Sequence, residues 1–127
     1  MAALAALGIV ADDMRESVRF YRLLGVEVED PPAEPSHHEA TLPNRLRLMW
    51  DTEEVVRSFD PEWRRVEGSV VGLAFECAEP AEVDETYRRV VEAGFPSRKE
   101  PWDAFWGQRY AQVSDPDGTP VDLFAAL

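Results

Sequence analysis

Cysteine and basic residues are both scarce in this sequence. The single cysteine, Cys77, cannot form a disulfide within the chain and lies in an apolar stretch. We interpret it as a core residue and expect a reducing, cytoplasmic setting. Lys and Arg number 13 against 25 Asp and Glu, which gives a net charge of -12. Proteins bind nucleic acids and anionic membranes through Lys and Arg side chains. The excess of acidic residues therefore argues against both as partners and favours a neutral or cationic small ligand.

Long hydrophobic runs are also absent. The apolar residues 1–7 have no basic residue before them, and Asp12 and Asp13 follow soon after. A signal peptide needs a basic segment before its apolar stretch, and a transmembrane helix needs about 20 apolar residues. We therefore expect neither an export signal nor a membrane span.

What the chain does contain is an internal repeat. Residues 14–25 follow an Asp, place apolar side chains at helical spacing and end at a Gly, and residues 83–94 repeat the apolar spacing and the final Gly. Short apolar runs at 7–11 and 70–77 precede the two helices. Strand-like runs follow each helix, at 26–29, 39–42 and 46–50 in the first half and at 95–99, 109–113 and 120–124 in the second.

This order predicts an α+β fold of two βαβββ repeats. The first repeat, residues 1–59, ends in a connecting helix at 51–59, residues 60–69 form a linker, and residues 70–127 form the second repeat. Each repeat would expose one apolar sheet face. We therefore expect one compact domain in which the repeats form a curved mixed sheet around a cleft.

Three segments carry a resemblance to a known family. They read DDMRESVRFYRLLG at 12–25, VVGLAFECAEPAEVDETYRRVVEAG at 70–94 and WGQRYAQVSDPDGTPVDLF at 106–124. The last is the most specific, because an aromatic-Gly lead, an Asp-Pro-Asp-Gly turn and an apolar-acid-Leu-Phe ending coincide. Nearly the whole chain resembles the vicinal oxygen chelate superfamily, which includes lactoylglutathione lyases, ring-cleaving dioxygenases, fosfomycin-modifying enzymes and bleomycin-binding resistance proteins.

The resemblance implies one divalent metal held by His, Gln or Glu on the first and last strands of the repeats. In this sequence those positions fall near Ala6, near Gly72, and on Arg47 and Asp122. Ala6 and Gly72 have no side-chain donor, and Arg47 places a positive charge where the ion should lie. We therefore expect no metal and no other cofactor.

The same positions bring Arg47 and Asp122 together in the predicted cleft. They form either an ion pair that closes the metal pocket or a polar anchor for a ligand. Glu76 shares a strand face with Gly72 and would point into the cleft, as a base or as a partner for Arg47. Of the adjacent His37 and His38, at most one can face the cleft, and the sequence does not decide which.

Aromatic residues concentrate near the predicted cleft. Trp102, Phe105 and Trp106 lie in residues 101–107, predicted as a loop, where they either stack on a ligand or cover the core or a second subunit. The predicted ligand-binding residues are Arg47, Met49, Trp50, Glu76, Trp102, Phe105, Trp106, Tyr110, Asp122 and His38.

From these features we infer a metal-free small-molecule-binding protein that works as a homodimer and resembles the drug-sequestering resistance proteins. One alternative is a metal-dependent lyase or dioxygenase of the glyoxalase type with an atypical site. Another is a protein–protein interaction module that uses the Trp-rich loop. Whether the repeats pair within one chain or between chains stays open.

Overall fold

The computed structural model describes residues 1–66 and 68–127 and confirms the predicted α+β class. In chain order the elements are β1 (Ala6–Val10), α1 (Met14–Leu23), β2 (His37–Thr41), β3 (Arg47–Asp51), α2 (Glu53–Phe59), β4 (Leu73–Glu76), α3 (Pro80–Glu92), β5 (Ser97–Ala104), β6 (Gln108–Ser114) and β7 (Pro120–Ala126). In the described part of the chain, no helix is both long and apolar enough to span a membrane.

Backbone contacts divide the chain into a first unit, Met1–Arg65, and a second unit, Val66–Leu127. The boundary falls inside the segment 60–69 that the sequence predicts as a linker, of which residue 67 lies outside the described residues. Trp63 and Arg65 belong to the first unit. The Arg65 guanidinium lies 5.7 Å from the Trp63 ring centroid and 2.7 Å from Glu53 Oε1 at the start of α2.

Helix α1 forms where the sequence predicts it. The Asp13 carboxylate accepts a 3.2 Å hydrogen bond from the Glu16 backbone N–H, which caps the first turn. Gly25 follows the last turn with φ 97°, a backbone conformation that residues with a Cβ rarely adopt. The apolar stripe, which includes Met14 and Val18, is buried.

The first unit contains a three-stranded sheet in the order β1-β3-β2. Strand β1 pairs with β3 in parallel, and β2 pairs with β3 antiparallel. Leu48 and Trp50 are buried on one face, and the Trp50 indole N–H donates a 3.0 Å hydrogen bond to the Ser17 hydroxyl of α1. Helix α1 therefore covers that face of the sheet.

The strand predicted at residues 26–29 does not form. The Val28 carbonyl accepts a 2.9 Å hydrogen bond from Arg22 Nε, and the Arg22 guanidinium also pairs with Asp30 at 2.7 Å. The Arg22 side chain of α1 thus fixes this segment, and the segment does not pair as a strand. The sheet of the first unit therefore has three strands, whereas that of the second has four.

The second unit contains a four-stranded sheet in the order β4-β7-β6-β5, with β4 parallel to β7 and the other pairs antiparallel. Helix α3 packs on one face, where Val83 and Val90 are buried together with Val113, Val121 and Leu123. Cys77 is also buried, as the sequence predicts.

The loop predicted at residues 101–107 is mostly strand. Strand β5 continues through Trp102 to Ala104 because Trp102 pairs directly with Tyr110 of β6. The reversal is confined to the three residues that follow, and Gly107 adopts φ 89° there.

Candidate functional site

Aromatic side chains of the second unit lie side by side on the sheet face that α3 leaves free. The register places Trp102 beside Tyr110 and Tyr110 beside Phe124, on three neighbouring strands. Ring centroids lie 5.4 Å apart for Trp102 and Tyr110, and 6.3 Å apart for Tyr110 and Phe124. The next residue on β6, Arg109, points the opposite way and reaches Asp84 of α3 at 2.9 Å.

Trp106 completes this group from the turn between β5 and β6. Its ring centroid lies 6.0 Å from that of Trp102 and 5.3 Å from that of Tyr110, both edge to face. Its indole N–H donates a 2.8 Å hydrogen bond to Gln108 Oε1, which fixes the ring. We call Trp102, Trp106, Tyr110 and Phe124 the aromatic wall. Phe105, next in the turn, is 97% exposed.

Asp122 lies on the same face, beside Gln112 in register. Its two carboxylate oxygens accept hydrogen bonds from the Tyr110 hydroxyl at 2.5 Å and from Gln112 Nε2 at 3.0 Å. Burial, the hydrogen bond to Asp122 and the charge of that carboxylate together raise the pKa of Tyr110 to about 12. The phenol therefore stays protonated at neutral pH and keeps its donor role.

A cation already lies against the aromatic wall. Lys99 Nζ is 4.0 Å from the Trp102 ring centroid, within the range of a cation–π interaction. The register places Lys99 beside Gln112 and Gln112 beside Asp122. Glu76 is paired in register with Phe124 and is exposed on the same face. The face thus combines aromatic rings with two carboxylates and one ammonium group.

The positions that the resemblance assigns to a metal do not fit a divalent ion. Ala6 lies beside Arg47 in the first unit, and Ala74 lies beside Asp122 in the second. The expected neighbour Gly72 is instead close to Pro120, whose carbonyl oxygen would be 3.4 Å from a Cβ built there. Two alanines, one guanidinium and one carboxylate are not a ligand set for a cation. Across residues 1–66 and 68–127, no group of three or more His, Cys, Asp or Glu side chains is arranged to hold a metal.

The free sheet face of the first unit carries a charged network instead of aromatic rings. His37 Nδ1 lies 2.6 Å from Asp51 Oδ1, and His37 Nε2 lies 2.9 Å from Glu39 Oε2. Arg47 Nη1 also approaches Glu39 Oε2, at 3.5 Å. The hydrogen bonds to Asp51 and Glu39 raise the pKa of His37, and the hydrogen bond from His37 lowers the pKa of Glu39.

This network changes how the predicted site residues are grouped. Arg47 has a carboxylate partner, Glu39, inside its own unit, and Asp122 has donors inside the other. The predicted ion pair between Arg47 and Asp122 stays a prediction. Glu39 and Asp51 were missed from the sequence, although strand alternation already places both on the Arg47 face. Met49 lies on that face as well, between Arg47 and Asp51 on β3.

Two predicted site residues lie on the other side of the first sheet. Trp50 is 0% exposed, and its ring lies 6.0 Å from that of Tyr21 under α1. The prediction that Trp50 lines an accessible cleft is therefore wrong, because the register places Trp50 on the sheet face that α1 covers. His38 pairs with Trp50 in register and shares that face, where its Nε2 lies 2.8 Å from the Glu29 carbonyl. Of the two histidines, His37 shares a face with Arg47.

The family follows from the sequence comparison. The family model described as the Glyoxalase/Bleomycin resistance protein/Dioxygenase superfamily matches residues 3–123. The chain belongs to this superfamily. The resemblance carried by residues 12–25, 70–94 and 106–124 is thereby confirmed. None of the curated proteins compared with this superfamily member matches it.

Solved structures share the fold at low sequence identity. A glyoxalase/bleomycin resistance protein/dioxygenase family enzyme from Burkholderia phytofirmans is similar with a TM-score of 0.85 and 17% identity, over 99% of this chain and 100% of that one. Lactoylglutathione lyase from Agrobacterium tumefaciens gives a TM-score of 0.67 and 21% identity, over 98% and 94% of the two chains. The fosfomycin resistance protein FosX from Listeria monocytogenes gives 0.73 and 16%, over 100% and 95%. At such identities the likeness shows the fold alone.

Proposed function

We propose that this superfamily member binds a flat, cationic small molecule on the aromatic wall without a metal, and so sequesters it. The observation that carries the proposal is the meeting of Trp102, Tyr110 and Asp122 on one free sheet face. Half-buried rings beside a fixed carboxylate suit a ligand that is both aromatic and positively charged.

The charge preference follows from the wall itself. The faces of aromatic rings attract cations, and the Lys99 ammonium already lies over the Trp102 ring. An amine or guanidinium group of a ligand would take the place of this ammonium. The neighbouring Asp122 and Glu76, and the net charge of -12, favour a cation at this place.

Binding without chemical conversion is supported by the properties of the candidate reactive groups in both units. With its pKa at about 12, the Tyr110 phenol is a weak proton donor at neutral pH. Burial raises the pKa of the Cys77 thiol, which makes it a poor nucleophile. In the first unit Ala6 and Arg47 provide no metal ligand, and in the second unit Ala74 adds none to Asp122, so neither position supports a metal-dependent reaction.

A fluorescence titration tests the proposal. Intrinsic Trp fluorescence is followed while a panel of cationic antibiotics, including bleomycin, is added. We expect saturable quenching by at least one member, and a loss of affinity of about tenfold or more in Trp102→Ala. Trp63→Ala is the matched control, because Trp63 lies in the first unit between Arg57 and Arg65. No change with any compound would contradict the proposal.

The remaining expectations from the sequence accompany this proposal. We propose a cytoplasmic homodimer that confers antibiotic resistance by sequestration, and light scattering tests the dimer. A metal-dependent enzyme of the glyoxalase type is the alternative, and a stoichiometric divalent ion in protein purified without chelator would favour it.

A second candidate function is protein–protein interaction through the turn between β5 and β6. Phe105 is 97% exposed and Trp106 is 49% exposed there, which is unusual for large apolar rings. If Phe105→Ser disperses a dimer and leaves ligand titrations unchanged, the turn serves assembly and not binding.

A further inference from the structure

The outer edge of β2 has backbone groups with which none of the strands in the described residues pairs. The Thr52 N–H donates to the Ser36 carbonyl at 3.1 Å, and the Leu42 N–H donates to the Leu46 carbonyl at 2.8 Å. Hydrogen-bonded positions alternate along an antiparallel ladder, so even-numbered residues of this strand turn their backbone toward β3. The N–H and C=O groups of His37, Glu39 and Thr41 therefore point away from the sheet.

A groove of about 480 Å³ borders this edge, between β2 and residues 27–29. Its lining consists of Glu27, Val28, Glu29, His38, Glu39, Ala40 and Thr41. Within the described residues, no backbone hydrogen bond joins residues 27–29 to β2.

The wall opposite β2 is held in place by side chains. Arg22 binds the Val28 carbonyl and Asp30 from the α1 side. His38 bridges the groove, since its Nε2 lies 2.8 Å from the Glu29 carbonyl oxygen. The two walls are thus joined through a histidine side chain and not through the direct backbone contact of adjacent strands, which lie about 4.8 Å apart.

In the second unit, the sheet edge that corresponds to the outer edge of β2 is paired with a further strand. In its sheet β6 takes the place that β2 takes in the first, next to the last strand of the repeat, and β5 pairs with its outer edge. In the first unit the corresponding segment does not pair. The groove therefore has exposed donors and acceptors on one side and a fixed wall on the other.

We propose that this groove binds a short, extended, basic peptide segment of another protein, which adds a strand to the edge of β2. Backbone hydrogen bonds to Glu39 and Thr41 would provide affinity. The Glu39 carboxylate is paired with His37 and Arg47. The exposed side chains of Glu27 and Glu29 on the groove wall therefore select Lys or Arg at alternate positions of the peptide.

The probe for this proposal is the labelled peptide Lys-Val-Lys-Val-Lys-Val-Lys, followed by fluorescence anisotropy with the full chain. Its matched control has the same sequence with alternate backbone amides methylated, which keeps the charge and removes the donors. We expect saturable binding of the first peptide and roughly tenfold or weaker binding of the second. Hydrogen exchange measured by NMR should slow at the Glu39 and Thr41 amides when the first peptide binds.

Two variants test the groove from the protein side. Reversing the rim charges in Glu27→Lys/Glu29→Lys should weaken the peptide about tenfold or more. Glu62→Lys, at an exposed acid outside the groove lining, should leave binding unchanged. Thr41→Pro removes one outward N–H at the sheet edge and should also weaken binding.

Four results would overturn the proposal. They are the absence of saturable binding, equal binding of the methylated peptide, protection that appears on β5 in place of β2, and a dimer of the chain that Thr41→Pro dissociates and that excludes the peptide. The last result would make a second copy of the chain the occupant of the edge.

Discussion

The Tyr110 hydroxyl donates a 2.5 Å hydrogen bond to the carboxylate of Asp122, its near neighbour on the adjacent strand. The superfamily resemblance assigns a metal ligand to Asp122, yet here the carboxylate binds two side-chain donors of its own sheet. Those bonds hold a negative charge beside Tyr110 of the aromatic wall. The proposed site depends on this arrangement.

Removing the charge of Asp122 should change both the phenol and the ligand site. In Asp122→Asn we expect the pKa of Tyr110 to fall from about 12 toward its ordinary value, because only burial then raises it. Tyrosine ring signals followed by NMR against pH measure this change. Asp103→Asn, which removes a partner of Arg109, is the control and should leave Tyr110 unchanged. An unaltered Tyr110 titration in Asp122→Asn would contradict the hydrogen bond.

Lys99 should compete with a cationic ligand for the Trp102 ring. In Lys99→Met we expect the affinity for a cationic compound that quenches Trp fluorescence to rise about three- to tenfold, because the ring face becomes free and a positive charge is lost. Lys99→Arg keeps the charge and should bind as the unaltered protein does. If Lys99→Met binds more weakly, Lys99 helps to hold the ligand and does not compete with it.

His37 should make stability depend on pH. Asp51 and Glu39 raise the pKa of His37, so the folded state holds its proton more tightly than the unfolded state. The resulting stabilisation is fully present below the unfolded pKa of about 6.5 and is lost as the pH rises through the raised folded value. Urea denaturation on both sides of neutral pH measures it. The slope should disappear in His37→Gln and persist in His38→Gln, which leaves His37 and both carboxylates in place.

The buried contact between Trp50 and Ser17 should matter for folding. In Ser17→Ala the indole N–H loses its acceptor inside the core, and we expect the free energy of unfolding to fall by about 1–3 kcal/mol. Ser58→Ala is the control, since that exposed hydroxyl donates only to the Val55 carbonyl and its loss should cost less than about 0.5 kcal/mol. Chemical denaturation compares the two variants. Equal effects would mean that the indole finds another acceptor.

The sequence predicted helices and tight turns well, because these form through contacts between residues that are close in the sequence. The positions of α1 and α3 follow from apolar spacing and from Gly25 and Gly94, both of which have positive φ. The last hairpin follows from the Asp-Pro-Asp-Gly turn, where the buried Asp115 carboxylate accepts hydrogen bonds from the Asp117 and Thr119 amides at 2.9 Å. Strand alternation also predicted one face for Gly72 and Glu76, and the register of β4 with β7 places Glu76 beside Phe124.

What the sequence could not decide was pairing between distant segments. Residues 26–29 have the composition of a strand, but Arg22 holds their backbone, and they do not pair with the outer edge of β2. Trp50 and His38 were assigned to the cleft, although the register of β2 and β3 turns both toward α1. The resemblance assigned the second-half ligand position to Gly72, but the register of β4 and β7 places Ala74, two residues further on, beside Asp122.

The sequence by itself determined the family, the repeat and the absence of metal ligands at Ala6 and Arg47, because these depend only on which residues are present and how they are spaced. Only the tertiary structure decided that Tyr110 binds Asp122, that His37 bridges two carboxylates, and that Trp50 is core. Side chains on neighbouring strands meet according to the register, and the register depends on interactions between distant parts of the chain that periodicity does not record.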